Sequence, residues 1–123
     1  HPAAQSPLTL ERFCQLDHAL VSWDGDAFQG VTDKALARLG KQRQVTLSVQ
    51  NFLVLPDILR ASEMIAVVPS RLVANLPGLV MLPPPLEIAG FSKTAAWHER
   101  SHHDIAQRWL RELLFEVCAG RIT

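Results

Sequence analysis

His98-Glu99-Arg100-Ser101-His102 matches H-E-x-x-H, the pattern in which two histidines on one helix face hold zinc and the glutamate between them acts as base. The chemistry it would support is metal-assisted hydrolysis. That chemistry needs a continuous helix through both histidines and a third ligand farther along, and the local signals oppose both. Ser101 with Asp104 forms S-x-x-D, and Asp104 with Gln107 forms D-x-x-Q; either helix start lies after His98. The longer form of the motif calls for glycine at position 105 and histidine at position 108, where this chain has Ile105 and Arg108. Glu112 and Glu116, the later carboxylates, fall mostly on the polar side of the final helix. A zinc hydrolase is therefore the weakest reading, and no metal site is expected.

Other catalytic patterns are absent. The chain carries no Gly-x-Ser-x-Gly, no glycine-rich phosphate loop and no Cys-x-x-Cys. Asp24 and Asp26 could pair as acid and base, but in Trp-Asp-Gly-Asp they read as turn residues. No catalytic residue and no cofactor is expected, and the chain reads as a non-enzyme. Lys plus Arg and Asp plus Glu stand at 12 each, so no net basic field gathers phosphate or anionic lipid around this chain. Cys14 and Cys118 lie near opposite ends without ligand spacing, which fits a reduced, cytoplasmic setting. No apolar run of about 18 residues is present to span a bilayer. The start at His1 instead of Met reads as a piece of a longer polypeptide.

The elements that must position any site follow from periodicity. Leu10, Phe13 and Cys14 predict a short helix capped at Thr9, and residues 18–23 a strand ended by Asp24-Gly25-Asp26. Val31, Ala35, Leu36 and Leu39 predict the buried face of a second helix, stopped by Gly40. Val45, Leu47 and Val49 alternate with Thr46 and Ser48 as a strand. A helix whose regular part starts near Pro56 follows, then a strand over residues 64–68 buried on both faces. A turn or two of helix covers residues 70–76, another strand residues 78–82, and extended chain residues 86–97 after the break at Pro83 to Pro85. The last helix begins near Asp104 and gathers Ile105, Ala106, Trp109, Leu110, Leu113, Leu114 and Val117 on one side.

Strands alternating with helices predict an α/β chain with a largely parallel sheet. In such folds ligands sit at the carboxyl ends of strands, often against a helix N-terminus that favours an anion. Ser48-Val49-Gln50-Asn51-Phe52 is such a strand-to-helix junction, although Asn51 also reads as the cap of its own helix.

Taken together, Pro7-Leu8-Thr9-Leu10-Glu11-Arg12-Phe13, the run from His18 to Asp26, the run from Val31 to Phe52, the run from Ser62 to Leu72, and the closing Trp97, Arg100, Asp104 and Trp109-Leu110-Arg111 resemble the C-terminal part of a LysR-type transcriptional regulator. The likeness spans nearly the whole chain in order and is strongest to the branch of nodulation and aromatic-catabolism regulators. It implies an α/β fold like the type 2 periplasmic binding proteins, in which two subdomains hold a small effector in their cleft. Residues 1–90 would form effector-binding subdomain II. Residues 91–123 would form the returning strand and C-terminal helix of an incomplete subdomain I. The effector contacts carried over by the resemblance are Val49, Gln50, Asn51 and Phe52, with Ser22 and Trp23 beside them. The implied function is effector sensing and oligomerisation: a small aromatic or carboxylate ligand shifts oligomer geometry. The implied partners are that effector, a second copy of the chain, and DNA only through a winged helix-turn-helix missing from this sequence, with no membrane partner. The alternative is a solute-binding protein of the same fold without DNA binding.

Overall fold

Thr9 starts the first helix: its hydroxyl accepts a hydrogen bond from the Arg12 amide at 3.3 Å, satisfying one of the free donors of helix α1, Leu10–Gln15. The computed structural model describes residues 1–22, 28–90 and 92–120. They belong to two compact units, His1–Gly90 and Phe91–Thr123.

In the first unit, Leu16 turns extended and leads into strand β1, Asp17–Val21. Helix α2, Val31–Arg38, ends as expected at Gly40, whose φ of 65° is the left-handed conformation that costs a side chain about 1–2 kcal/mol. The Gly40 and Lys41 amides then donate to the Ala37 and Leu36 carbonyls, both at 3.0 Å, closing the helix end. Strand β2, Gln44–Val49, pairs parallel with β1, so α2 is the crossover of a β-α-β unit. The register runs Asp17 with Gln44 and His18 with Val45, then slips to Ala19 with Leu47. Thr46 is the extra residue at that slip, and its hydroxyl donates to Asp17 Oδ1 at 2.7 Å.

The far edge of β1 is closed by a single parallel bridge from His18 to Ile65, with the Ile65 amide donating to the Asp17 carbonyl and the Ala19 amide to the Ile65 carbonyl, both at 2.9 Å. A 3-10 turn, Phe52–Val54, and helix α3, Leu55–Arg60, connect β2 to that bridge. Pro56 falls in the first turn of α3, where a missing N–H breaks nothing. Helix α4, Ser70–Val73, is one turn.

Three sequence expectations are corrected. Of the residues assigned to the buried face of α2, Leu36 is fully buried, but Val31 and Leu39 are 51% and 54% exposed; Thr32 takes the inner position instead. Residues 64–68 do not make a strand beyond the Ile65 bridge, and residues 78–82 make none. A strand needs at least one neighbour to ladder with, and these two apolar runs do not ladder with each other; both line a groove of about 810 Å³, together with Phe13, Leu59 and Val73. Among the described residues the core of the unit is correspondingly small: Ala3, Phe13, Ala19, Leu36, Leu55, Pro56 and Val73, with buried His18, Ser22 and Thr32.

In the second unit, residues 92–98 carry no helix or strand, and a 3-10 turn spans Glu99–Ser101. Helix α5, Ile105–Cys118, follows. Of the two candidate starts, Asp104 is the cap, its carboxylate accepting from the Gln107 amide at 2.8 Å.

Candidate functional site

Parallel pairing carries β1 and β2 in the same direction, so their carboxyl ends finish side by side. The last ladder pair is Val21 with Val49, and the Ser22 amide donates to the Val49 carbonyl at 2.9 Å. That bond ties two of the expected effector contacts together. Ser22 is buried, Val49 and Phe52 are half-buried, and Gln50 and Asn51 are exposed. Trp23, Asp24 and Asp26 lie outside the described residues.

Asn51 is extended, with φ −135° and ψ 128°, and its Oδ1 accepts from the Leu53 amide at 2.8 Å. The side chain thus caps the turn that follows β2. One expectation weakens here. The element after Asn51 starts as a three-residue 3-10 turn, the Leu53 N–H is already used by the cap, and Pro56 offers none. An anion at this junction would therefore depend on side-chain donors more than on a helix dipole.

The H-E-x-x-H segment is built differently from a zinc site. His98 is extended and caps the 3-10 turn, its Nδ1 accepting from the Arg100 amide at 3.1 Å. His102 Nδ1 accepts from Trp97 Nε1 at 3.1 Å, and the two rings stack nearly parallel, 10° apart. Arg111 lies over the Trp97 ring, 4.6 Å from its centroid, and donates to the Ser101 and His102 carbonyls at 3.3 and 2.8 Å. Among the described residues no three His, Cys, Asp or Glu side chains are grouped to hold a metal ion. Trp97, Asp104 and Arg111 thus do structural work, clasping the turn onto the start of α5.

Sequence reasoning missed the most buried polar cluster. Arg43, whose side chain is 1% exposed, grips Asp33 with two hydrogen bonds, Nε to Oδ1 at 2.8 Å and Nη2 to Oδ2 at 2.7 Å. Asp33 Oδ2 also accepts from the Gly30 amide at 2.7 Å, and Arg43 Nη1 donates to His18 Nδ1 at 3.2 Å. His18, fully buried, donates from Nε2 to the Phe13 carbonyl at 2.8 Å. A histidine within the apolar run of β1 and an arginine before β2 were the only signals.

The model of the LysR substrate binding domain matches residues 1–119 of this chain. The chain belongs to the LysR family. Among curated proteins, the HTH-type transcriptional activator NahR of Pseudomonas putida is 36% identical over 120 residues, which cover 95% of this chain and 40% of that protein. Nodulation protein D 2 of a Bradyrhizobium strain is 28% identical over 112 residues, covering 89% and 33%. The regulatory domain of MexT, a transcriptional activator in Pseudomonas aeruginosa, superposes with a TM-score of 0.73 at 36% identity, covering 87% of this chain and 55% of that structure. The chain thus spans about two fifths of NahR and one third of the nodulation protein. Its fold class is the α/β regulatory-domain fold of LysR regulators, like the type 2 periplasmic binding proteins, and NahR and MexT are named as transcriptional activators, not enzymes.

Proposed function

We propose that this LysR chain is the effector-sensing and oligomerising part of a DNA-binding transcriptional regulator, with unit His1–Gly90 as the subdomain that receives a small carboxylate or aromatic ligand. The observation that carries it is the Ser22 to Val49 bond, which sets the ends of two parallel strands together, two residues before Asn51 caps the turn that follows. Asn51 Nδ2 and the Gln50 amide orient the ligand by hydrogen bonds, and Phe52 gives apolar contact. Unit Phe91–Thr123 supplies the returning segment and the closing helix of the other subdomain. DNA contact belongs to a winged helix-turn-helix outside this chain, and ligand binding shifts the populations of oligomer geometries. No helix among the described residues is long and apolar enough to cross a membrane.

Benzoate serves as the probe, being the simplest aromatic carboxylate. In amide NMR of the chain, its addition is expected to shift Ser22 and Val49 to Phe52 saturably. Shifts confined to the groove walls at residues 64–68 and 78–82 would count against the assignment.

Helix α5 has its own consequence. Ile105, Trp109, Leu110, Leu114 and Val117 are all exposed, Trp109 by 62%. Burying each is worth about 1.5–3 kcal/mol, so the face is driven against another polypeptide surface. In sedimentation, chain 1–123 is expected to associate with rising concentration, and Leu110→Glu to reduce that association. A monomer at all concentrations would refute it.

A further inference from the structure

We propose that His18, Arg43 and Asp33 form a proton-gated latch in the effector-binding unit: one proton taken up at His18 Nδ1 breaks its bond with Arg43 and loosens the start of β2 from β1, while Asp33 keeps its hold on Arg43.

The geometry fixes the protonation state. A guanidinium has donors only, so Arg43 Nη1 pointing at His18 Nδ1 from 3.2 Å requires that nitrogen to be an acceptor. The remaining ring proton is then on Nε2, where it meets the Phe13 carbonyl at 2.8 Å. His18 is therefore neutral, with both nitrogens used, and it is fully buried. An added proton has one place to go, Nδ1, and there it sets N–H against N–H and cation against cation.

The groups facing His18 decide the balance. From α1 come the Phe13 carbonyl and the edge of its ring, centroids 4.6 Å apart; from β1, Asp17; from α2, Asp33; and from the segment before β2, Arg43. Burial lowers the His18 pKa from its ordinary value; the Phe13 carbonyl pulls it up, Arg43 pushes it down further, and the Asp33 and Asp17 carboxylates pull it up. The net direction is down, so the latch stays closed at neutral pH.

The parts this latch joins are those that set the strand register. Asp33 holds Arg43 and the Gly30 amide at the start of α2, His18 bridges to Ile65, and the slip at Thr46 lies just beyond Arg43. Opening it loosens the end of β2 opposite the effector junction, giving the sensor a response to acid separate from its response to ligand. Because the unfolded chain binds the proton more readily than the folded one, stability is full above about pH 6.5 and falls as the pH drops from there toward the lowered folded value.

The test is an NMR titration of the unmodified chain from about pH 8 to about pH 5. The expected result is that the His18 ring gains its Nδ1 proton below about pH 6.5, and that over that same range the Arg43 guanidinium resonances shift as Nη1 loses its acceptor, while Nε–H keeps its bond to Asp33, and amide protection at Asp17 to Ala19 and Gln44 to Thr46 falls. The proposal is overturned if His18 stays neutral until the whole chain unfolds, or if it titrates while Arg43 and those amides do not change. His18→Gln, which cannot titrate, is expected to flatten the acid dependence of stability; should that variant not fold, the titration of the unmodified chain still decides.

Discussion

Arg43→Ala is expected to lower the stability of the first unit by about 3–4 kcal/mol, read as a fall in the urea midpoint at neutral pH. The cost is not the worth of the ion pair itself, since a buried pair often does little better than well-packed apolar residues. It arises from what is stranded. Asp33, 17% exposed, would keep its charge with only backbone amides, those of Gly30 and Asp33 itself, as partners, and His18 Nδ1 would lose the Arg43 donor. Burial acts to raise the Asp33 pKa, but the Arg43 bonds and the Gly30 amide outweigh it and hold the carboxyl below its ordinary value. Removing the guanidinium takes away the largest of the effects that oppose burial. Against a total stability of about 5–15 kcal/mol for a domain, a unit with so few buried apolar residues would be brought close to unfolding. Arg43→Lys is expected to recover part of the loss, because an ammonium keeps the charge but cannot form the paired bonds to both Asp33 oxygens. A midpoint unchanged by Arg43→Ala would mean that water takes the place of the guanidinium.

Local features of this fold were legible wherever a residue's own backbone preference decides the outcome. Thr9, Gly40, Pro56 and Asp104 each act within one turn of their own position, and each does what its side chain predicts. The strand pair was legible because Val45, Leu47 and Val49 alternate and a helix separates the two strands. The face of α2 was not. Its apolar residues describe a stripe, but which edge of the stripe is covered depends on neighbours that are distant in sequence, so Thr32 lies inside and Val31 outside. The runs at residues 64–68 and 78–82 look like strands because they are apolar, yet pairing is a property of two segments, and only Ile65 finds a ladder partner. The Arg43 cluster was hidden for the same reason, since its members stand 10 and 25 residues apart in sequence. At the candidate site, the strand-to-turn junction was readable from Gln50 and Asn51, whereas the bond that brings Ser22 to Val49 depends on the register of the sheet.

That junction also carries the largest expected effect on function. Asn51 has two ends: Oδ1 is committed to the Leu53 amide, and Nδ2 is the donor proposed for the ligand. Asn51→Ala removes both, costing about 1 kcal/mol of cap stability, so its effect on binding would mix two causes. Asn51→Asp separates them. An aspartate caps a turn as well as an asparagine, so the fold is expected to hold, but the second oxygen replaces a donor with a negative charge at the point where a carboxylate would bind. A hydrogen bond to a charged group contributes about 1.5–3 kcal/mol, which corresponds to a tenfold to hundredfold change in Kd, and repulsion adds to it.

The central claim is therefore tested most directly by titrating benzoate into the intact regulator and its Asn51→Asp variant at the same pH and salt, with urea unfolding of both as the control. The account predicts equal stability and a Kd raised at least about tenfold in the variant. Equal affinity at equal stability would contradict it and would place the effector away from the ends of β1 and β2.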